Sequence, residues 1–411
     1  MNNTNNNSNR ITTHHSTDRS WAIHYGDVNK VLPTLPPVTF DGVFCDPPYG
    51  LNFMGHNWDE SVPPATVFQG LLRLCKPGGY LLAFGGPKTF HRLACNIEDA
   101  GWEIRDTLCW LYGDGFPKSH NISKAIDKKL DAKRRSVGKT KAIYRYGYNK
   151  SDKNIEITTP GSSDEAKRWD GYGTALKPAW EPIILAMKPV DGTFAENALT
   201  RSNGGLNIDE CRIGTSGGST RSHQPEYPRL EDGSKDHSHF ARRSHNVDQI
   251  DKGRWPANLL LDEEAAAVLD EQSGKSKSRR SRRRKAGSNV GNGKTLNAFR
   301  SRMDVVEGYD DEGGASRFFY CAKARGKKRK GNDHPTVKPL ALCEYLARLI
   351  LQPKRETPRR LLVPFSGSGS EMIGALSAGW DHVTGIEKDD QYVATARRRL
   401  SEHKEEYSRP A

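Results

Sequence analysis

Along the chain, short unbroken apolar runs alternate with segments whose apolar residues recur every three or four positions. That is the alternation of buried strands with amphipathic helices. Trp21-Ala22-Ile23-His24-Tyr25 reads as a strand ending in a Gly26-Asp27 turn, and Gly42-Val43-Phe44-Cys45 as a second, buried strand. Thr66 to Cys75 has helical spacing, which Lys76-Pro77-Gly78-Gly79 stops. Tyr80 to Phe84 is then a strand, Phe90 to Ala100 a helix, Gly101 to Leu111 a strand, and Pro182 to Met187 another. Near the end of the chain the alternation resumes. Leu340 to Leu351 spaces Leu342, Tyr345, Leu346, Leu349 and Ile350 as one helix face, and Leu361-Leu362-Val363 forms a strand. A helix from Glu371, a strand His382 to Glu387 and a helix Asp390 to Leu400 follow. Strands alternating with helices predict an α/β fold around a mostly parallel sheet covered on both faces.

Two stretches break the pattern. From Tyr112 to about Leu176 the chain is turn-rich and polar, with a basic helix at Ile122 to Lys133 and the aromatics Tyr144, Tyr146, Tyr148, Trp169 and Tyr172. From Asp191 to Gly331 it has few long periodic segments. Asn197 to Ile213 reads as irregular, Arg254 to Leu261 as a strand, Glu263 to Glu271 as a short helix and Arg317 to Cys321 as a final strand. Polar, turn-rich segments between the pieces of a compact sheet read as insertions that carry recognition.

The 411 residues, 35% of them hydrophobic, are enough for a sizeable core. The net charge of +13 and a pI near 9.3 favour a polyanionic partner. Much of the excess lies in two blocks, Lys275 to Lys285 and Lys327 to Lys330. Mean hydropathy is −0.76 and no apolar run reaches membrane-spanning length. Met1 to Arg10 is an Asn-rich tract with no signal-peptide layout, so a disordered tail and a cytoplasmic protein with no membrane partner are expected. The seven cysteines include no Cys-x-x-Cys pair, and neither a metal site nor a disulfide framework is expected.

Asp46-Pro47-Pro48-Tyr49 follows the buried run that ends at Cys45. Each proline fixes its own φ and biases the preceding residue to an extended form, so the four residues leave the strand on one stiff path. A solvent-facing polyproline turn is the plain reading. The chemical one is that the Asp46 carboxylate and the Pro47 carbonyl accept the two N–H bonds of an amino group, with Tyr49 as a flat face for a base. Leu361 to Gly369 is a strand running into the small-residue turn Phe365-Ser366-Gly367-Ser368-Gly369, followed by a helix and a strand that ends in Glu387, about twenty residues on. That order is the layout of a nucleoside-binding α/β unit, in which the acid takes ribose hydroxyls.

Together the two stretches resemble the amino-methyltransferases of DNA, with Asp-Pro-Pro-Tyr holding the target amino group and Phe-x-Gly-x-Gly holding S-adenosyl-L-methionine. The catalytic motif comes first here, the permuted order of the beta class. The resemblance implies a Rossmann-like methyltransferase sheet, circularly permuted, with a large inserted target-recognition region. Residues 1–20 would be a tail, 21–111 the catalytic half of the core, 112–177 a DNA-facing insertion and 178–190 a core strand. Residues 191–331 would be the target-recognition region, 332–405 the cofactor-binding half and 406–411 a tail. Asp46, Pro47, Pro48 and Tyr49 would be catalytic. Asp27, Thr336, Lys338, Phe365, Ser366, Gly367, Ser368, Gly369 and Glu387 would bind the cofactor, with Lys338 at its carboxylate. Asp27 reads equally as a turn-stabilising residue, Lys338 as part of a helix cap, and Glu181 as structural. The Trp-bearing strand near Trp110 and the strand led by Glu181 match a hairpin that closes the sheet edge in the family. The family's acid before Pro-Phe is Val363 here, and Ser370-Glu371 replaces its usual Thr pair, departures expected to weaken the cofactor site.

The implied activity is transfer of a methyl group to N6 of adenine in a base flipped out of double-stranded DNA. N4 of cytosine, or a non-catalytic DNA-binding role, is the alternative. The resemblance leaves open a homodimer and a companion restriction endonuclease.

Overall fold

The computed structural model describes residues 11–51, 59–113, 115, 119–141, 154–158, 161–214, 253–278, 311–323 and 337–407. Expectations for Met1 to Arg10, His56 to Trp58, Phe116 to Lys118, Tyr144 to Tyr148, Arg279 to Lys285, Lys327 to Lys330 and Thr336 lie outside the described residues. The chain forms two compact units, one of Met1–Leu206, Asn258–Ala265 and Ala322–Ala411, the other of Asn207–Ala257 and Ala266–Cys321.

The first unit begins with β1 (Thr12–His15), β2 (Trp21–Tyr25) and a one-turn helix α1 (Val28–Val31). It continues through β3 (Phe40–Cys45), α2 (Ala65–Leu74), β4 (Cys75–Phe84), α3 (Phe90–Asp99) and β5 (Glu103–Leu111). A segment with α4 (Ile122–Lys129), β6 (Ser136–Lys141), β7 (Asn154–Thr158) and α5 (Asp164–Arg168) precedes β8 (Trp180–Met187) and α6 (Phe194–Arg201). β9 (Leu259–Asp262) leads into α7 (Glu263–Ser273). In the second unit β10 (Ser276–Lys277) pairs antiparallel with β11 (Glu312–Gly313). After β12 (Tyr320–Ala322) come α8 (Leu340–Leu349), β13 (Arg360–Pro364), α9 (Ser370–Ala378), β14 (His382–Glu387) and α10 (Asp390–Tyr407).

In the first unit the strands lie in the order β1-β2-β14-β13-β3-β4-β8-β5-β9. From β2 through β4 every neighbouring pair is parallel, and β8 runs antiparallel to both β4 and β5. Chain order and spatial order differ because β13 and β14, the last strands in sequence, sit between β2 and β3. The Trp110 strand and the Glu181 strand do pair, Trp110 opposite Glu181, but β9 adds parallel to β5, so the hairpin does not end the sheet.

Strand side chains alternate between the faces. Val43, Cys45, Leu81, Ala83, Ile184 and Ala186 meet Phe68, Leu71 and Leu74 of α2 with Leu93 and Ile97 of α3. On the other face Phe44 stacks on Phe84 at 5.9 Å, and α8 and α9 bury Leu342, Leu346, Met372 and Ile373. Each Val, Leu, Ile, Phe or Met side chain so buried is worth about 1.5–3 kcal/mol.

Several boundaries depart from the periodic pattern for local reasons. The segment expected to be irregular after Asp191 contains α6, because Thr193 and Glu196 form a capping box at its start. Of the expected strand Arg254 to Leu261 only Leu259 onward is extended in a ladder, and Arg254 makes a single bridge to Ile213. Pro256 has no N–H to give a ladder there. Ala315–Phe318 is a tight helical turn and not strand, since the Asp270 carboxylate takes both the Ser316 amide and hydroxyl. Lys76 to Gly79 does end α2 but enters β4. The basic helix stops at Lys129, where Asp131 turns left-handed and Arg134 folds back to Asp127 at 2.7 Å.

The layers on the α8 face depend on one close approach. A Cβ at Gly374 of α9 would lie 2.5 Å from Cys343 Cβ and 2.7 Å from the Glu344 amide nitrogen of α8. Gly374→Val is therefore expected to destabilise the protein by about 1–3 kcal/mol through overpacking, seen as a lower midpoint in chemical denaturation with an unchanged slope. An unchanged midpoint would show that the two helices separate freely.

Candidate active site

Parallel register carries four strand ends to one edge of the sheet. Pro364 lies opposite Ile386, Glu387 opposite Tyr25, Leu362 opposite Val43 and Cys45 opposite Ala83. The residues leaving β2, β3, β13 and β14 emerge side by side, where open parallel sheets hold ligands. A cavity of about 460 Å³ opens there, lined by Asp27, Asp46, Tyr49, Lys338, Glu371 and Glu387 among others. Pro47, Pro48, Phe365, Ser366, Gly367 and Ser368 line it too, while Gly369 does not.

The turn after β13 is held open by left-handed backbone at Phe365, Gly367 and Gly369, with φ of 59°, 49° and 82°. Gly369 begins α9, and a Cβ there would come within 3.1 Å of Ala396 Cβ. Glu387 clamps the turn: one carboxylate oxygen accepts from the Gly367 amide at 2.7 Å, the other from the Lys388 and Asp389 amides at 2.8 and 2.9 Å. Burial pushes the Glu387 carboxyl up, against the amides that favour its anion. Asp27 caps α1 through the Asn29 amide at 2.8 Å and also lines the cavity, so both of its readings have a geometric basis. Within this cradle the Ser366 hydroxyl is buried with no hydrogen-bond partner among the described residues. An unpaired buried hydroxyl, a turn open to close approach and two carboxylates fit the hydroxyl-rich, amine-bearing nucleoside that such turns hold.

The other side of the cavity is a charged cluster. Lys338 Nζ, at 5% exposure, donates to Asp46 Oδ2 at 2.8 Å and to the Tyr49 hydroxyl at 3.0 Å, and stands 3.3 Å from Glu181 Oε2. The Tyr49 hydroxyl donates to Asp46 Oδ1 at 2.8 Å, with Glu181 Oε2 at 3.3 Å. The Phe84 and Tyr49 rings flank the ammonium, 4.6 and 5.3 Å from their centroids. Burial alone would lower the Lys338 pKa, but Asp46 and Glu181 outweigh it and raise it above the ordinary lysine value. Burial, then Asp46 and Glu181, push the Tyr49 phenol well up, so it stays protonated. The Glu371 carboxyl, on the first turn of α9, is pushed up to about 7 by burial and by the Asp46 charge. Val363 is fully buried opposite Gly385 and its side chain brings no polar atom.

The loop's path is set by Asp59, whose carboxylate accepts from the amides of Tyr49, Gly50 and Leu51 at 2.7, 2.9 and 3.2 Å. Thr89 Oγ1 donates to the Tyr49 carbonyl at 2.5 Å. The sequence reading placed Lys338 at a cofactor carboxylate; here its ammonium faces Asp46. Glu181, read there as structural, belongs to the cluster because β8 is antiparallel and begins at the edge where its neighbours end. A charged residue heading the apolar run Pro182 to Met187 was the signal available.

A family model described as DNA methylase matches residues 40–398. Among solved structures the chain is similar to M1.HpyAVI, with 12% identity over 92% of this chain and 98% of that one and a TM-score of 0.38. It is also similar to the putative DNA modification methylase TTHA0409 from Thermus thermophilus, with 15% identity, 93% and 94% covered and a TM-score of 0.37. A third similarity is to the PvuII DNA methyltransferase (cytosine-N4-specific), with 12% identity, 93% and 86% covered and a TM-score of 0.38.

The Glu371 carboxyl has an ordinary value of 4.5 and stands at about 7 in the fold, so the folded state holds its proton more tightly. The stability this contributes is complete below about 4.5 and is lost as pH rises through about 7. Glu371→Gln does not titrate. Its melting temperature relative to the parent protein should rise between pH 5 and pH 8, and an unchanging difference would mean that Glu371 ionises normally.

Proposed function

The chain belongs to the DNA methylase family, and we propose that it is a site-specific DNA-methyltransferase that methylates the exocyclic N6 of adenine with S-adenosyl-L-methionine as donor. The observation that supports this reading is the meeting of Asp46-Pro47-Pro48-Tyr49 and the Phe365 to Gly369 turn in one cavity, from adjacent parallel strands. The excess of +13 suits a DNA partner through phosphate contacts.

An exocyclic amino group is a weak nucleophile because its lone pair is delocalised into the ring. Asp46 Oδ and the Pro47 carbonyl accept its two N–H bonds and draw the nitrogen toward a tetrahedral form, whose lone pair then points into the cavity. Lys338 donates a charge-assisted hydrogen bond to Asp46 and so orients its carboxylate. Tyr49 offers its ring to a flipped base, whose stacking returns about 1–3 kcal/mol of the cost of leaving the duplex. Asp27, Ser366 to Ser368 and Glu387 hold the cofactor; Pro47 and Pro48 keep the acceptors rigid. S-Adenosyl-L-methionine supplies an electrophilic methyl group on a sulfonium. Because the base is neutral and its acceptors are preset, no residue has to deprotonate it before attack; the N–C bond forms as the methyl–sulfur bond breaks, and the proton the nitrogen then sheds passes to Asp46 and on to solvent.

Mass spectrometry of nucleosides from unmethylated DNA, incubated with the protein and S-adenosyl-L-methionine, should reveal N6-methyladenine. N4-methylcytosine would keep the mechanism and change the base; neither product would remove the catalytic reading. Asp46→Ala should lower the methylation rate by about a hundredfold or more with DNA binding intact, and retained methylation would take Asp46 out of the mechanism.

A further inference from the structure

Asp46 is the acceptor on which the proposed reaction depends, yet both its oxygens are engaged, Oδ1 by the Tyr49 hydroxyl and Oδ2 by the Lys338 ammonium, each at 2.8 Å. Each oxygen keeps a second lone-pair site, but the two donors already spend part of its acceptor strength, so an amino N–H competes with both. An ammonium at 5% exposure, packed against the Phe84 and Tyr49 rings, cannot lose its partner to water cheaply. A second carboxylate already waits. Glu181 Oε2 stands 3.3 Å from Lys338 Nζ and 3.3 Å from the Tyr49 hydroxyl, longer than either bond to Asp46 but within one small side-chain shift of both donors.

Its placement is fixed by the backbone. Glu181 lies opposite Trp110 on β5, and the neighbouring residues of β8 pair with β4 from Phe84 to Tyr80. The strand is thus held on both sides, and Glu181 is delivered to the edge where β3 and β4 end. Glu371 also acts on the ammonium through space, but neither donor bonds to it among the contacts described.

We propose that Glu181 is a positioning residue for methyl transfer, the alternate acceptor that takes Lys338 Nζ and the Tyr49 hydroxyl when Asp46 turns to the amino group of the target base. The proposal rests on the role of Asp46 given above. Each donor keeps a carboxylate throughout, no proton changes hands, and Asp46 regains its full acceptor strength at the moment the base arrives. In the absence of DNA the same contacts keep Asp46 occupied.

The test compares equilibrium binding, with S-adenosylhomocysteine present, of duplexes carrying either the methylated target base or the same base without its exocyclic amino group. The parent protein should prefer the amino-bearing duplex by about tenfold, one hydrogen bond to a charged acceptor. Glu181→Gln should lose that preference while binding the amino-less duplex as before. It should also lower kcat by tenfold or more with KM for DNA within about threefold. A Glu181→Gln protein that keeps the preference, or that weakens both duplexes equally, overturns the proposal. A parent protein that methylates but shows no preference overturns the Asp46 reading itself, and this inference falls with it. Because the comparison uses whichever base is methylated, it does not depend on adenine being the target.

Discussion

The seam between β3 and β13 is the constraint on which everything else depends. Leu361 and Leu362 lie parallel to Gly42 and Val43, residues from opposite ends of the chain. Gly42 makes the contact tight, since a Cβ there would sit 3.3 Å from Ile350, Leu361 and Trp380 side chains. The start of the seam is fastened by Asp41, fully buried, which accepts from Lys76 and Arg355 on one oxygen and from the Arg360 amide on the other. A buried carboxylate paired on both oxygens costs little, whereas removing a partner would strand it. Asp41 therefore sets the register that puts Asp46, at the end of β3, beside the Gly-rich turn at the end of β13.

That register explains what the sequence could and could not disclose. Asp46-Pro47-Pro48-Tyr49 and Phe365 to Gly369 were legible because their backbone demands are local: prolines fix φ, and glycines permit the left-handed angles found at Gly367 and Gly369. The strand His382 to Glu387 was legible because an apolar run bounded by charge has one plausible extent. The pairing of Lys338 with Asp46 was not, because it joins residues whose separation along the chain carries no periodicity. The place of Glu181 beside Lys338 was hidden for a related cause. It follows from strand direction, and an antiparallel strand inserted next to β4 looks in sequence like any other apolar run. The helix α6 was different: its capping box at Thr193 and Glu196 was on the page, but few apolar residues follow it to confirm a helix.

Asp59 and Thr89 belong to a third class, residues that hold the loop and not the ligand. Three amides on one carboxylate fix Tyr49, Gly50 and Leu51, and one hydroxyl fixes the Tyr49 carbonyl. Stiff prolines alone set directions along the chain, but they do not fix the loop against the sheet. The side chains that do so come from outside the motif, Asp59 from beyond residues 52–58 and Thr89 from the start of α3. A motif of four residues is thus a necessary part of the reaction centre whose geometry is completed by others.

The charge balance of the cavity follows from the same economy of space. The buried Lys338 ammonium is balanced by the Asp46 carboxylate at 2.8 Å. Lys338 in turn faces a second carboxylate in Glu181, and Glu371 brings a third into the same buried cluster. Burial answers that by holding the Glu371 proton up to about 7. Lys338 and Arg399, whose guanidinium bonds Ser368 and Ser370 at the Gly-rich turn, favour the Glu371 anion but do not overcome burial. One cavity thus holds a carboxylate paired directly with an ammonium and a second carboxyl whose proton burial and the neighbouring charge retain.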